Sequence, residues 1–220
     1  MKSVMISIHP KWCKLIANGK KTVEVRKTKP KIKTPFKCYI YCTNAAPYLV
    51  EQLRVVREFP LQIYRPGVKS LYGDRFDGGS FVSQYETLHG YSREDAVKIW
   101  GKVLNGKVIG EFVCDEILSI WSGYAGTDGD DCLSFDEREV YLGAKMGYGW
   151  HISDLQIYDK PKELKDFCYM PESFCEKGLC RGCPFDEAPD VNGEYMHGCE
   201  WKRPLKRPPQ SWYYVEEVER

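Results

Sequence analysis

Residues 3–27, SVMISIHPKWCKLIANGKKTVEVRK, predict a strand, a short helix and a second strand in immediate succession. The first six residues alternate as the two faces of a strand do. Pro10 suits the first turn of a helix, and Gly19 suits its end. The chain is therefore expected to pass from strand to helix and back to strand with no long linker.

The second strand of this stretch, TVEVR, has one apolar face and one charged face. Val23 and Val25 point to one side, whereas Glu24 and Arg26 point to the other, with Lys21 shortly before them. The charged face has three interpretations. The face can be a catalytic lysine site, a nucleic-acid-binding surface, or a solvated strand with a surface ion pair that contributes little stability.

The charged residues of this strand suit binding better than reaction. An adjacent carboxylate favours the charged form of a lysine, so Lys21 is predicted to hold a phosphate or a carbonyl group. Glu24 and Arg26 lie roughly 7 Å apart by strand rise and can present an acceptor and a fork of donors together. Such a pair can read a base edge, with Glu24 accepting from an exocyclic amine such as that of cytosine.

Beyond this stretch, short strands outnumber helices. Serine caps predict one helix after Ser92 and another whose capping box pairs Ser134 with Glu137. Single strands are predicted at 35–43, at 106–120 with a bend near Gly110, at 147–161 and at 208–218. No long helices alternate with them, which excludes a parallel doubly wound sheet. The pattern predicts an α+β fold, with a small, mostly antiparallel β-barrel and peripheral helices.

Composition indicates a folded domain. The chain has 220 residues, of which 43% are hydrophobic and 14% aromatic, enough to bury a sizeable core. It contains no run of about 18 apolar residues, and the apolar run at its start is too short for a secretory signal. We therefore expect a soluble, cytoplasmic protein without membrane association.

The net charge of +1 conceals two oppositely charged regions. Residues 11–33 hold nine Lys and Arg against Glu24 alone, whereas residues 111–140 hold nine Asp and Glu against Arg138 alone. The basic region predicts contact with phosphate groups. The acidic stretch GTDGDDC (126–132) is either a solvated loop or a partner that neutralises the basic region within the fold.

Three segments of the chain read SIHPKWCKLIANGKKTVEVRK, GKVIGEFVCDEI and GYGWHISDLQIYDKP. With the pattern G-x-K-x-x-E-x-R at Gly19, Lys21, Glu24 and Arg26, they resemble the ASCH domain of the PUA-like superfamily, in the form found in phage and prophage-type proteins. The resemblance covers roughly residues 1–160 and the closing strand. It implies a PUA-like β-barrel with a cleft beside the motif, and binding of RNA or a modified nucleoside.

The resemblance also implies an enzymatic alternative. Some ASCH proteins are amidohydrolases that remove the acetyl group of N4-acetylcytidine with a lysine, a threonine and a glutamate. The lysine falls on Lys21 and the threonine position falls on Glu24, while Glu137 and Glu139 are candidates for the glutamate. The alternative function is therefore an amidohydrolase of N4-acetylcytidine-like substrates, or a ribonuclease, centred on Lys21.

Two aromatic side chains extend the predicted ligand site. Trp150 and His151 follow a glycine-rich approach, and a ring beside cations suits stacking on an unpaired base. The alternative for His151 is a structural histidine with satisfied hydrogen bonds. The predicted ligand-binding residues are Lys20, Lys21, Glu24, Arg26, Trp150 and His151.

A cysteine-rich segment near the C-terminus predicts a metal site. Its ligands are Cys175, Cys180, Cys183 and Cys199, with Cys168 and His197 as alternates. Cys180 and Cys183 form a C-x-x-C knuckle, and four thiolates around a tetrahedral zinc ion make a closed, structural site. An iron–sulfur cluster can use the same four cysteines and is the less favoured alternative, followed by disulfides or unligated thiols.

These features divide the chain into a barrel and an insertion. Residues 1–162 and 206–220 are predicted to form the ASCH-like barrel, which itself carries an insertion at about 48–105. Residues 163–205 are predicted to form the cysteine-rich insertion. The expected ligand is a nucleic acid or a modified nucleoside in the barrel cleft, and the cysteine-rich insertion is a candidate surface for a protein partner.

Overall fold

The computed structural model describes residues 3–56, 62–63, 80–121, 131–143, 145–169 and 205–217. They form a mixed α+β fold in which a curled β-sheet makes a half-barrel accompanied by few helices. This confirms the predicted α+β class. No helix among these residues has the length and apolar character that crossing a membrane requires.

The described part of the chain contains more strands than helices, as predicted. The strands are β1 (Ser3–Ile8), β2 (Val23–Arg26), β3 (Phe36–Cys42), β4 (Tyr48–Val56), β5 (Gln62–Ile63), β6 (Ser80–Leu88), β7 (Val108–Cys114), β8 (Ile117–Ile120), β9 (Gly147–His151), β10 (Ser153–Lys162), β11 (Phe167–Tyr169) and β12 (Trp212–Glu217). The α-helices are α1 (Pro10–Ala17), α2 (Arg93–Trp100) and α3 (Phe135–Leu142).

Six strands form the larger sheet, in the order β10-β7-β3-β1-β12-β11. Neighbouring strands pair antiparallel except β1 and β3, which run parallel. Strands β2, β9 and β8 form a separate sheet of three, and β5, β4 and β6 form another. Among the described residues, β10 and β11 are the two edges of the larger sheet, so the predicted barrel is a half-barrel.

Two segments predicted as single strands are each divided between two sheets. Segment 106–120 supplies β7 to the larger sheet and β8 to the smaller one, with the break at Asp115 and Glu116. Segment 147–161 supplies β9 to the smaller sheet and β10 to the larger one, with the break at Ile152. Near Gly110 the pairing of β7 with β3 shifts in register, but the change of sheet comes later. Strands that switch sheets in this way make the corners of packed sheets.

The main core lies between the larger sheet, the β2-β9-β8 sheet and α1. Ile40, Phe112 and Trp150 are buried in it, and the ring of Phe36 meets that of Trp150 edge-on at a centroid distance of 5.8 Å. Burial of these side chains contributes roughly 25 cal/mol for each Å² of apolar surface removed from water. The core therefore fixes β9 against the larger sheet.

The predicted apolar face of β2 is confirmed. Val23 and Val25 are buried and pack with Ile120 of β8 and Leu142 of α3 in a small cluster of their own. Because successive side chains of a strand point to opposite faces, this cluster directs the charged residues of β2 to the other side.

Helix α1 begins and ends as the sequence predicts. Pro10 occupies its first turn, and the His9 side chain caps the helix by accepting from the backbone N–H of Lys11 at 3.3 Å. After the helix, Gly19 has a φ of 68°, a left-handed conformation that glycine adopts without a steric penalty. The turn at Gly19 ends the helix and places Lys21 just before β2.

Both predicted serine caps are confirmed. The Ser92 hydroxyl accepts from the backbone N–H of Asp95 at 3.1 Å at the start of α2. At the start of α3, the Ser134 hydroxyl accepts from the Glu137 N–H at 3.1 Å, and the Glu137 carboxylate accepts from the Ser134 N–H at 3.0 Å. Reciprocal bonds of this kind satisfy two backbone donors that the helix leaves open.

The region predicted as an insertion at about 48–105 contributes the third sheet and α2. β4 and β6 pair antiparallel along their whole length, and Val50 of β4 packs with Trp100 of α2. The amide of Asn18, after α1, donates to the backbone carbonyl of Tyr85 at 2.8 Å and accepts from its N–H at 3.0 Å. This exchange fastens the third sheet to the end of α1.

Residues 163–169 lie with the larger sheet, although the sequence-based boundary assigns them to the cysteine-rich insertion. β11 pairs antiparallel with β12, and Phe167 is buried against Tyr39 with ring centroids 4.8 Å apart. A three-residue strand is too short to show the alternation that identifies longer strands. Residues 170–204, which hold most of that insertion, lie outside the described residues.

Gly110 is expected to tolerate no side chain. A Cβ atom at this position would lie 2.4 Å from the backbone oxygen of Gln156 in β10, and backbone atoms in a paired strand cannot move aside cheaply. We expect Gly110→Ala to lower the free energy of unfolding by about 1–3 kcal/mol. Denaturant titration measures the change, and Ser119→Ala on the exposed side of β8 is the control, with an expected effect within about 0.5 kcal/mol. Equal stability of the two variants would contradict the close strand approach.

Candidate functional site

The charged face of β2 is buried. Lys21, Glu24 and Arg26 are 2%, 5% and 7% exposed. Buried charged side chains are rare unless they are paired or hydrogen-bonded. The interpretation of this stretch as a solvated strand with a surface ion pair is therefore wrong.

Glu24 lies between the two cations. Its Oε1 is 3.0 Å from Nη2 of Arg26, and its Oε2 is 3.5 Å from Nζ of Lys21. The second contact is electrostatic, since Oε2 has no hydrogen-bond partner. Two cations against one carboxylate leave this group, which we call the buried triad, with a net charge of +1.

Each cation of the buried triad also donates to a backbone carbonyl. Nη2 of Arg26 donates to the carbonyl of Ser7 in β1 at 2.6 Å. The ammonium of Lys21 donates to the carbonyl of Asp131, and its Nζ lies 5.2 Å from the ring centroid of Trp12. These contacts fix Lys21 as a hydrogen-bond donor in a defined place.

A second buried ion pair, between Arg138 and Asp131, holds in place the segment whose carbonyl group accepts from Lys21. Nη2 of Arg138 lies 2.9 Å from a carboxylate oxygen of Asp131, which is 1% exposed on its side chain. The other Asp131 oxygen accepts from the backbone N–H of Leu133 at 3.0 Å. Sequence reasoning missed this pair. The nearest signal was the acidic stretch GTDGDDC (126–132), but the partner predicted for it was the basic region 11–33 and not Arg138.

A pocket of about 920 Å³ opens beside the buried triad. Its walls come from β1, α1, β2, β3, α3 and the segment before β12. Trp12 and Tyr141 are half-buried aromatic residues in these walls. The volume lies in the range typical of small-molecule sites, which is about 300–1,000 Å³.

Three residues that line the pocket have buried polar atoms without a hydrogen-bond partner. They are Oε2 of Glu24, Nε of Arg26 and Oγ1 of Thr43. Buried polar groups are nearly always satisfied, so an unsatisfied group calls for a partner such as a water molecule or a ligand. The set offers an acceptor, a donor and a hydroxyl that can act as either.

The two glutamates proposed for an enzymatic role lie on α3. Glu137 lines the pocket but is already engaged, because its Oε1 accepts from Nζ of Lys11 at 2.8 Å and its Oε2 closes the capping box. The hydrogen bond from Lys11, followed by that from the Ser134 N–H, lowers the pKa of Glu137, which keeps its carboxylate charged. Glu139 is exposed and does not line the pocket.

Trp150, His151 and Lys20 lie apart from the pocket. Trp150 is fully buried in the main core, so its ring has no exposed face on which a base could stack. Nδ1 of His151 lies 2.7 Å from a carboxylate oxygen of Asp115, and this hydrogen bond lowers the pKa of Asp115. Lys20 is exposed, three residues after the end of α1. Of the predicted ligand-binding residues, the fold brings together Lys21, Glu24 and Arg26.

The predicted metal ligands fall almost entirely outside the described residues. Cys175, Cys180, Cys183, Cys199 and His197 all lie in segment 170–204. Cys168 lies in β11 and is 2% exposed. The described residues contain no group of three or more metal-ligating side chains. Structural zinc, with an iron–sulfur cluster as the alternative, therefore stays a prediction, as does the protein partner.

The ASCH domain family model matches residues 6–56 of this chain, a span that contains the buried triad and Thr43. No curated protein matches the chain. The crystal structure of ASCH from Zymomonas mobilis is similar to this chain. Their alignment covers 99% of this chain and 87% of the Zymomonas chain, with 15% sequence identity and a TM-score of 0.46. The alignment with the crystal structure of a mutant of the same Zymomonas protein covers 74% of this chain and 77% of the mutant chain, with 18% sequence identity and a TM-score of 0.42.

Proposed function

We propose that this chain is a PUA-like nucleic-acid-binding protein that holds a base of RNA, or of a modified nucleoside, in the pocket beside the buried triad. The ASCH family match supports the proposal because it spans the strand, helix and strand that build one wall of the pocket. The observation that carries it is that two buried cations, a buried carboxylate and three polar atoms without a hydrogen-bond partner all belong to residues that line one pocket.

The chemistry of the buried triad matches the edge of a nucleobase. Oε2 of Glu24, which has no hydrogen-bond partner, is an acceptor for an exocyclic amine, as in cytosine or adenine. Nε of Arg26 is a donor for a ring nitrogen or a carbonyl oxygen. A buried acceptor beside a buried donor discriminates strongly, since a mismatched ligand leaves a polar group unpaired.

The walls of the pocket suit the faces of a base. Trp12 and Tyr141 line it and are only half-buried, so their rings can stack on an unpaired base. Base stacking on an aromatic side chain is worth about 1–3 kcal/mol. These two residues take the stacking role that sequence reasoning gave to Trp150.

An amidohydrolase or ribonuclease centred on Lys21, with Glu24 beside it, is the alternative function. It has less support, because the ammonium of Lys21 is already bound by the Asp131 carbonyl and lies against the Glu24 carboxylate. Both contacts engage the Lys21 side chain as a hydrogen-bond donor beside a carboxylate, which suits holding a ligand. A lysine that reacts as a nucleophile or base must give up its proton.

Fluorescence anisotropy with labelled single-stranded RNA, single-stranded DNA and duplex RNA tests the proposal. We expect Arg26→Ala to weaken RNA binding by about tenfold or more, the loss of roughly 1.4 kcal/mol or more of binding free energy. Arg26→Lys keeps the charge but loses the planar fork, and should fall between Arg26→Ala and the native protein. The exposed Lys160→Ala on β10 is the control and should bind as the native protein does.

Two results would contradict the proposal. One is the absence of binding to every nucleic acid and to N4-acetylcytidine. The other is unchanged affinity in a folded Arg26→Ala variant. Incubation with N4-acetylcytidine belongs in the same series, because its consumption by the native protein and not by Lys21→Ala would establish the alternative function.

A further inference from the structure

A lysine-rich loop between β2 and β3 borders the pocket. Lys27, Lys29 and Lys33 are exposed in it, and Lys27 lines the pocket itself. Within the part of the chain that the structure describes, no ion pair neutralises these three side chains. Exposed cations without carboxylate partners present an electrostatic field that attracts phosphate.

Two of these lysines lie over tyrosine rings. Nζ of Lys27 is 5.2 Å from the ring centroid of Tyr141, which also lines the pocket. Nζ of Lys29 is 5.0 Å from the ring centroid of Tyr148 in β9. A cation at this distance from an aromatic face is attracted to it by roughly 0.5–1 kcal/mol at exposed sites. The contacts therefore favour particular positions for both ammonium groups beside the pocket.

A second basic segment, in the C-terminal part of the chain, borders the pocket. Lys206 and Arg207 are exposed, and the pocket wall begins directly after them at Pro208. The backbone of this segment is held in place, since the Tyr213 hydroxyl donates to the Arg207 carbonyl at 2.6 Å. The Ser7 hydroxyl donates to the carbonyl of Pro209 at the same distance, 2.6 Å.

The two basic segments are both anchored to β12. Nε1 of Trp212 donates to the Thr28 hydroxyl at 2.9 Å, and the backbone N–H of Lys31 donates to the Tyr214 hydroxyl at 2.8 Å. These bonds fasten the β2–β3 loop to the strand that follows Lys206 and Arg207. Both basic segments consequently lie at the rim of the same pocket.

We propose that the pocket holds one nucleotide within a longer single strand, and that the β2–β3 loop and the Lys206–Arg207 segment contact the phosphates on its two sides. The proposal rests on the proposed function, because it takes the pocket to hold a base. It names a substrate class: a polynucleotide strand whose backbone continues beyond the pocket, rather than a free nucleoside. A single strand fits because the base must be unpaired to enter the pocket.

Phosphate contacts have a measurable signature. Each one releases a counterion, so the logarithm of the association constant falls with the logarithm of the salt concentration by about 0.7 per contact for a single strand. A free nucleoside has no phosphate and should show almost no such slope. We therefore expect a hexanucleotide to bind far more tightly than a nucleoside at low salt, and the difference to shrink as salt rises.

Calorimetric titration at several salt concentrations tests this inference with cytidine, a mixed-sequence RNA hexamer and its DNA counterpart. Two variants each remove two charges from one basic segment: Lys29→Gln/Lys33→Gln and Lys206→Gln/Arg207→Gln. Each should weaken hexamer binding about tenfold at low salt and lower the salt slope by about 1.4. Cytidine binding should not change. Lys160→Gln/Lys165→Gln is the control of equal charge on exposed positions of the β10 region.

The outcomes separate this inference from the proposed function. If cytidine binds and the hexamer binds no more tightly, the proposed phosphate contacts do not form. The same conclusion follows if both double variants keep the native salt slope. In either case the proposed base-binding pocket is unaffected. If neither cytidine nor either hexamer binds, the inference fails; the proposed function fails with it when N4-acetylcytidine and the other nucleic acids do not bind either. A slope that falls equally in the control variant would also overturn the inference, because it would show a diffuse charge effect.

Discussion

Glu24→Gln is expected to lower the free energy of unfolding by about 3–5 kcal/mol, the usual cost of removing one partner from a buried ion pair. The substitution keeps the shape of the side chain but removes the negative charge between Lys21 and Arg26. Both cations are less than 10% exposed and would remain in the protein interior without a carboxylate. Urea titration at neutral pH measures the change.

An ion pair near the surface supplies the control for Glu24→Gln. Glu86 and Lys14 lie 2.7 Å apart with side chains 28% and 30% exposed, and Glu86→Gln should cost no more than about 1 kcal/mol. If the two glutamine variants were equally stable, the buried triad would have no special electrostatic role.

The Glu24→Gln variant should also lose its preference for bases with an exocyclic amine, because a glutamine oxygen is a weaker acceptor than a carboxylate.

Arg138→Met is the second substitution with a large expected effect. It preserves much of the apolar volume of the side chain but leaves the Asp131 carboxylate buried without its cation. We expect a loss of about 3–5 kcal/mol in the free energy of unfolding. Ligand affinity should fall as well, because the carbonyl of Asp131 is the group that holds Lys21.

A double-mutant cycle separates loss of the charge pair from loss of packing. If Arg138→Met acts by leaving a buried carboxylate, adding Asp131→Asn should restore part of the lost stability. The double variant should therefore be more stable than Arg138→Met alone. Additive losses in the two single variants would mean that Arg138 acts through packing and not through Asp131.

The local features of the fold could be predicted from sequence because their causes are local. The caps at Ser92 and Ser134 depend on residues three positions apart, and both are present. Pro10 and Gly19 mark the limits of α1 for the same reason. The alternation of β2 correctly separated its apolar face from its charged face.

The corners of the fold could not be predicted, because their causes are not local. Segments 106–120 and 147–161 read as continuous strands, yet each passes from one sheet to another. Such a corner depends on which strands pair on each side of it. β8 and β9 pair with each other, so the breaks at Asp115 and at Ile152 arise together.

The burial of the charged motif likewise depends on distant segments. Sequence spacing placed Lys21, Glu24 and Arg26 together, but Lys21 is covered by a segment 110 residues away in the chain. No period in the sequence connects Lys21 with Asp131. The same limit explains the error over Trp150, whose place in the core follows from its contacts with Phe36 and with the closing strand.

Photo-crosslinking of a thiouridine-containing single-stranded RNA, followed by peptide mapping, tests most directly whether the pocket beside the buried triad is the binding site. We expect cross-links to Trp12 or Tyr141, and their loss in Arg26→Ala. Cross-links confined to surfaces away from the pocket, such as the exposed Tyr91 beside α2, would contradict it.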